Sequence, residues 1–171
     1  MVFACVLIPA ILLINCKNEN KLPRILVFIK EDFSTHESTP EAAKVLINLC
    51  KENRFSAEVT DDDSYFTDEN LKNYVAVIFL NTAGNILNPA QEAAFERYIR
   101  AGGGFMGIHS AVDTEHQWDW YGKLLGARFD SQSKVTSLDL LVSDKKHPAN
   151  FHLDTLIRLT DEEIALKDMN P

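Results

Sequence analysis

The sequence predicts an α/β fold, a parallel sheet with helices on both faces, and three observations predict it. Two runs, "RILVFI" at 24–29 and "VAVIFL" at 75–80, are apolar throughout rather than alternating, as strands covered on both faces of a parallel sheet are. Between the short β-branched runs lie longer stretches with apolar residues at helical spacing, the pattern of strands joined by crossover helices. The 171 residues, 46% hydrophobic and 25% charged, suit one globular domain with a sizeable core.

The elements follow in order. After the first strand comes a polar loop, and Pro40 then opens "PEAAKVLINLCKEN", in which Ala43, Leu46, Ile47 and Cys50 fall at helical spacing. "SAEVT" at 56–60 is the second strand. An acidic turn follows, and in "TDENLKNY" Thr67 or Asp68 can cap a short helix. The third strand is 75–80. Asn88 as N-cap and Pro89 at the first helical position open "NPAQEAAFERYIRAGGG", which its glycines end. "GFMGIH" at 104–109 is the fourth strand. Beyond it Trp118 to Leu125 looks helical, while 137–142 and Leu156 to Thr160 look like strands. The final "TDEEIALKDMN" offers no clear strand and helix to close a doubly wound sheet. The domain, 22–171, is therefore expected to be incomplete at its C-terminus, with an unpaired sheet edge that would invite a homodimer.

Charge excludes one class of partner. A net charge of −8 leaves no basic stripe for nucleic acid. The run Asp61, Asp62 and Asp63 reads as a solvated turn. Residues 1–20 read as a signal peptide or lipoprotein leader: the apolar stretch Val2 to Ile14 is short of the roughly 20 residues a membrane span needs, and Leu13-Ile14-Asn15-Cys16 stands where a lipobox would be. The expectation is export, to the periplasm or to a membrane through lipidated Cys16; a cytoplasmic chain is the alternative. Cys50 is then the one cysteine of the body, on an apolar helical face, and reads as a packed, inert thiol.

In an open parallel sheet, ligands bind beyond the carboxyl ends of the strands. That rule selects "KEDFSTHESTP" after the first strand, "NTAGN" after the third and "HSAVDTEHQWDW" after the fourth. Together they would gather His36, Ser38, Asn81, Thr82, His109, Ser110 and Asp113, enough for acid/base chemistry, sugar recognition or metal ligation. Each has a plainer reading: His36 as a loop residue, Asn81 and Thr82 as partners of turn backbone. His109, between Gly107 and Ser110 at a strand-to-loop junction, is the hardest to explain that way. Trp118 and Tyr121 either line the mouth for a sugar face or pack the following helix. No GxxxxGK[ST], HExxH or CxxC pattern occurs, and "GGGFMG" enters a strand rather than leaving one, so neither a nucleotide nor NAD is expected.

"THES", the block from "VAVIFLNTAGN" through "GIHSAVDTEHQWDWYGKLLGARF", then "HPAN" and "TDEE", resemble the ThuA-like family, named for trehalose utilisation, over roughly Arg24 to Glu163. The resemblance implies a flavodoxin-like, class I glutamine amidotransferase-like sheet in which the turn after the fourth strand carries a nucleophile. Here that elbow holds His109, so thiol amidotransfer is not expected. The resemblance further implies carbohydrate metabolism, with processing of 3-keto-disaccharides or 3-keto-glycosides by a hydrolase, lyase or isomerase.

Two schemes are open. In one, His109 or His36 is a general base oriented by Asp113. In the other, His36 and His109 ligate a divalent metal completed by Asp161 or Glu162. Where the family carries a histidine-proline pair after "GARF", this chain has Ser131-Gln132-Ser133. That departure favours a rival reading, a non-catalytic sugar-binding or interaction module.

Overall fold

The structure, a computed structural model, describes residues 21–31 and 36–169. The leader expected over 1–20, with Cys5 and Cys16, lies outside the described residues. Among the described residues no helix is long and apolar enough to cross a membrane.

Four parallel strands form the sheet, in the order β2 (Ser56–Thr60), β1 (Arg24–Phe28), β3 (Ala76–Leu80), β4 (Gly104–Ile108). Their pairing aligns Phe28 with Phe79 and Phe79 with Gly107, so β1, β3 and β4 deliver their loops to one edge. Apolar residues fill both faces, as the unbroken runs predict. Leu26, Phe28, Val77 and Phe79 point to one face and pack with Phe66, with Phe95 of α3 (Pro89–Arg100) and with Tyr121 of α4 (Asp119–Leu125). Val27, Ile78 and Leu80 point to the other, against Ala43 of α1 (Thr39–Glu52).

Local chemistry fixes the crossovers. Asn88 accepts hydrogen bonds from the amides of Ala90 and Gln91, while Gln91 Oε1 accepts one from the Asn88 amide at 2.8 Å, a reciprocal cap that starts α3. The same Gln91 side-chain amide donates to Asp63 Oδ1 at 2.8 Å, and Asp63 also pairs with Lys30. One member of the acidic turn is thus a brace between β1 and α3. Thr67 caps the short α2 (Asp68–Leu71), donated to by the Asn70 amide. Cys50 is buried, and burial pushes its thiol above the usual range, as an inert packed cysteine requires.

Three details differ from the sequence reading. Ile47 is 42% exposed, and α1 buries Ala43 and Cys50 instead; its wide apolar face exceeds what one layer of sheet covers. β5 (Arg128–Gln132) carries too many polar residues to show a strand pattern, yet pairs antiparallel with β8 (Ile164–Lys167), a strand inside the "TDEEIALKDMN" segment where none was clear. β6 (Thr136–Leu141) and β7 (Leu156–Asp161) form a separate antiparallel ribbon.

Phe79 touches the rings of Phe28, Phe66, Phe95, Phe105 and Tyr121 with centroids 5.3–6.0 Å apart. Phe79→Ala is expected to cost about 3–5 kcal/mol of unfolding free energy in a urea titration, against less than about 0.5 kcal/mol for an exposed surface change on α1 such as Lys44→Ala.

Candidate active site

Isolated bridges carry the sheet beyond its formal strands, Glu31 beside Ala83 and Gly84 beside Thr114, and so tie the three loops of the carboxyl edge together. Two of those loops begin with a left-handed residue. Asn81 and His109 both have φ of 54°, and the Asn81 amide donates to the Ile108 carbonyl at 3.2 Å, so β3 and β4 turn together. Asn and His tolerate this region better than most non-glycine residues. A 3-10 turn over His109–Asp113 follows at once and presents the exposed His109 ring at the edge.

His36 stands against it. The two rings lie 4.9 Å apart, centroid to centroid, nearly perpendicular at 85°. His36 Nδ1 is 3.0 Å from Glu31 Oε2, and the His36 amide donates to the same carboxylate at 3.1 and 3.3 Å. Glu31 escaped the sequence reading, although an acid five residues before a histidine in a loop was the available signal. Asn81, buried, donates through Nδ2 to Thr39 Oγ1 at 2.9 Å and reaches Ser38 Oγ at 3.5 Å. It therefore braces the start of α1 under His36.

The other predicted residues separate. Thr82 is fully buried and shares a 2.9 Å hydrogen bond with Thr114 Oγ1, joining two loops from below. Among the described residues Ser110 Oγ is buried without a hydrogen-bond partner. Asp113, the last residue of the 3-10 turn, bonds His116 three residues further along the loop, Oδ1 to Nε2 at 2.8 Å, rather than His36 or His109. Burial raises the Asp113 carboxyl and His116 opposes that rise. Tyr121 is 1% exposed and donates to the Ala111 carbonyl at 2.8 Å, while Trp118 stacks on Trp120 and Tyr121 in the aromatic core. These two rings pack the helix and do not line the crevice.

The proposed metal set does not assemble. Asp161 ends β7 and accepts from the Glu162 amide at 2.9 Å, while Glu162 bonds Gln132. Among the described residues no three His, Cys, Asp or Glu side chains gather closely enough to hold a metal ion, so His36, His109, Asp161 and Glu162 are not one ligand group.

Glu115 is the second buried acid of this edge. Only 2% exposed and itself at φ 54°, it accepts from the amides of Ile86 and Leu87 at 2.9 and 2.7 Å and so fastens the loop after β3. A cavity of about 250 Å³ lies beside it, lined in part by Thr114, His116, Arg128, Phe129 and Lys167 and including neither His36 nor His109.

Fold and edge together define a flavodoxin-like α/β domain whose strand-end elbow carries an imidazole. The chain belongs to the ThuA family, described as trehalose utilisation, whose model matches residues 24–171. A crystal structure of a protein described as ThuA-like from Bacteroides uniformis ATCC 8492 is 26% identical, with a TM-score of 0.74 over 89% of this chain and 65% of that one. Another, from Parabacteroides merdae ATCC 43184, is 17% identical and shares the fold, with a TM-score of 0.67 over 84% of this chain and 63% of that one. The chain thus spans somewhat less than two thirds of the length of each. No curated protein is significantly similar to it.

Burial pushes the Glu115 carboxyl up to about 7, the amides of Leu87 and Ile86 opposing and Glu92 reinforcing the rise. Between the ordinary glutamate value of about 4.3 and that value the folded chain holds a proton the unfolded chain has released, so this group's contribution to stability falls as pH rises through the window. Glu115→Gln, which keeps an acceptor for both amides, is expected to remove roughly 3 kcal/mol of the stability lost between pH 4.5 and 8. Urea titrations of both proteins at the two pH values measure it; equal slopes would refute the assignment.

Proposed function

We propose that this chain acts on an oxidised sugar, a 3-keto-disaccharide or 3-keto-glycoside, by histidine acid/base chemistry. The observation that carries the reading is the pair His36 and His109, perpendicular rings 4.9 Å apart at the carboxyl edge of the sheet. The family's description, trehalose utilisation, supports a carbohydrate.

Two adjacent imidazoles suit a substrate whose ketone acidifies the neighbouring carbon. One imidazole takes the proton from C2, the C2–H electron pair becomes the C1=C2 bond, and the C1–O bond breaks. The second imidazole, protonated, gives its proton to the departing oxygen. Addition of water across the new double bond would complete a net hydrolysis; without it the reaction is an elimination. Ser38, exposed beside the pair, offers a hydroxyl to sugar oxygens, while buried Asn81 holds the start of α1 beneath it.

A non-catalytic sugar-binding module is the second reading, favoured by one observation. Gln132, in the segment where the family carries a histidine, bonds Glu162 and so occupies the acidic pair near the end of β7. We further propose export and a homodimer, the latter resting on β4, whose Met106 is exposed at the sheet edge.

NMR-monitored consumption of 3-keto-trehalose separates the readings. The enzyme reading expects turnover by the wild type that falls about 100-fold or more in His109→Ala. A folded wild type that binds the sugar without consuming it would establish the module instead.

A further inference from the structure

We infer that Glu31 is the positioning residue of the crevice: it holds His36 as the Nδ1–H tautomer and leaves Nε2 as the free proton acceptor beside His109. Its use in catalysis rests on the histidine acid/base reading above; the tautomer itself does not.

The carboxylate is built to accept. Its side chain is 5% exposed, and its backbone is pinned by the bridge to Ala83 at the exit of β3. Oε2 faces His36 Nδ1 at 3.0 Å, both oxygens take the His36 amide, and Oε1 receives the Thr39 hydroxyl at a longer 3.4 Å. Thr39 Oγ1 is itself donated to by Asn81 at 2.9 Å, which frees the Thr39 proton for Glu31. A backbone amide and a hydroxyl already donate to this carboxyl, so toward the ring it acts as an acceptor. The ring nitrogen opposite it must then carry the hydrogen, and in a neutral imidazole the lone pair falls to Nε2.

No further side chain among the described residues bonds the His36 ring. Among the described residues the one cation beside Glu31 in sequence, Lys30, pairs with Asp63. Asp113 faces the other ring nitrogen of its histidine, His116 Nε2, so each of two histidines has its own acid, while among the described residues His109 has none. An acid, a histidine and a group facing that histidine make up the arrangement by which a base is fixed in one tautomer.

Long-range ¹⁵N–¹H correlation of the histidine rings in the full chain, at a pH where they are neutral, reads the tautomer with no substrate present. His36→Phe assigns the signals among the five histidines. The wild type is expected to show His36 protonated at Nδ1 with Nε2 bare. Glu31→Ala, with its amide spectrum otherwise retained, is expected to move His36 toward the Nε2–H form that free imidazole side chains favour. An Nε2–H His36 in the wild type, as a protonated Glu31 donating to Nδ1 would produce, overturns the inference, and so does a tautomer unchanged in Glu31→Ala. If that variant does not fold, the wild-type spectrum alone decides. Absence of sugar turnover would count against the enzyme reading and leave this result standing.

Discussion

Everything at the ligand edge depends on two neighbouring parallel strands ending in left-handed residues. β3 and β4 run in register to Leu80 and Ile108, and the next residue of each, Asn81 and His109, has φ of 54°. For a residue with a Cβ this region costs on the order of 1 kcal/mol, and a single interstrand hydrogen bond, Asn81 amide to Ile108 carbonyl, couples the two turns. The turn takes the His109 ring out of the sheet toward the loop that carries His36. Without it the imidazole would continue the strand alternation and point to one face of the sheet.

Two buried carboxylates hold the loops that this turn exposes. Glu31 gathers the loop after β1 through the His36 amide and ring, and Glu115 gathers the loop after β3 through the amides of Ile86 and Leu87. Each acid satisfies backbone donors that would otherwise be lost inside the protein. They differ in their surroundings. Glu115 lies in the interior, where burial governs its protonation, whereas Glu31 faces a histidine half-open to solvent. One therefore fastens, and the other also shapes the chemistry of the side chain it holds.

The sheet was legible because its signals are local. Unbroken apolar runs mark β1 and β3, and Asn88-Pro89 marks the start of α3. The meeting of His36, Asn81 and His109 followed from the strand-end rule alone. What escaped depends on partners distant in sequence. β5 and β8 are polar ribbons whose only evidence is each other, and Tyr121 and Trp118 look equally fit for a sugar and for a core until the core is seen. Asp113 lay in the right loop, but its carboxylate bonds His116, three residues further along that loop. Glu31 hid because an acid at the end of an apolar strand reads as loop polarity.

The central claim is that His36 and His109 form one sugar-facing crevice. Titration of ¹³C-labelled histidine rings with 3-keto-trehalose tests it most directly. The account predicts that the ring signals of His36 and His109 shift together with one apparent affinity, while His147 and His152, in the loop between β6 and β7, stay still. Shifts confined to that loop, or to His116 beside the neighbouring cavity, would place the sugar elsewhere and contradict it.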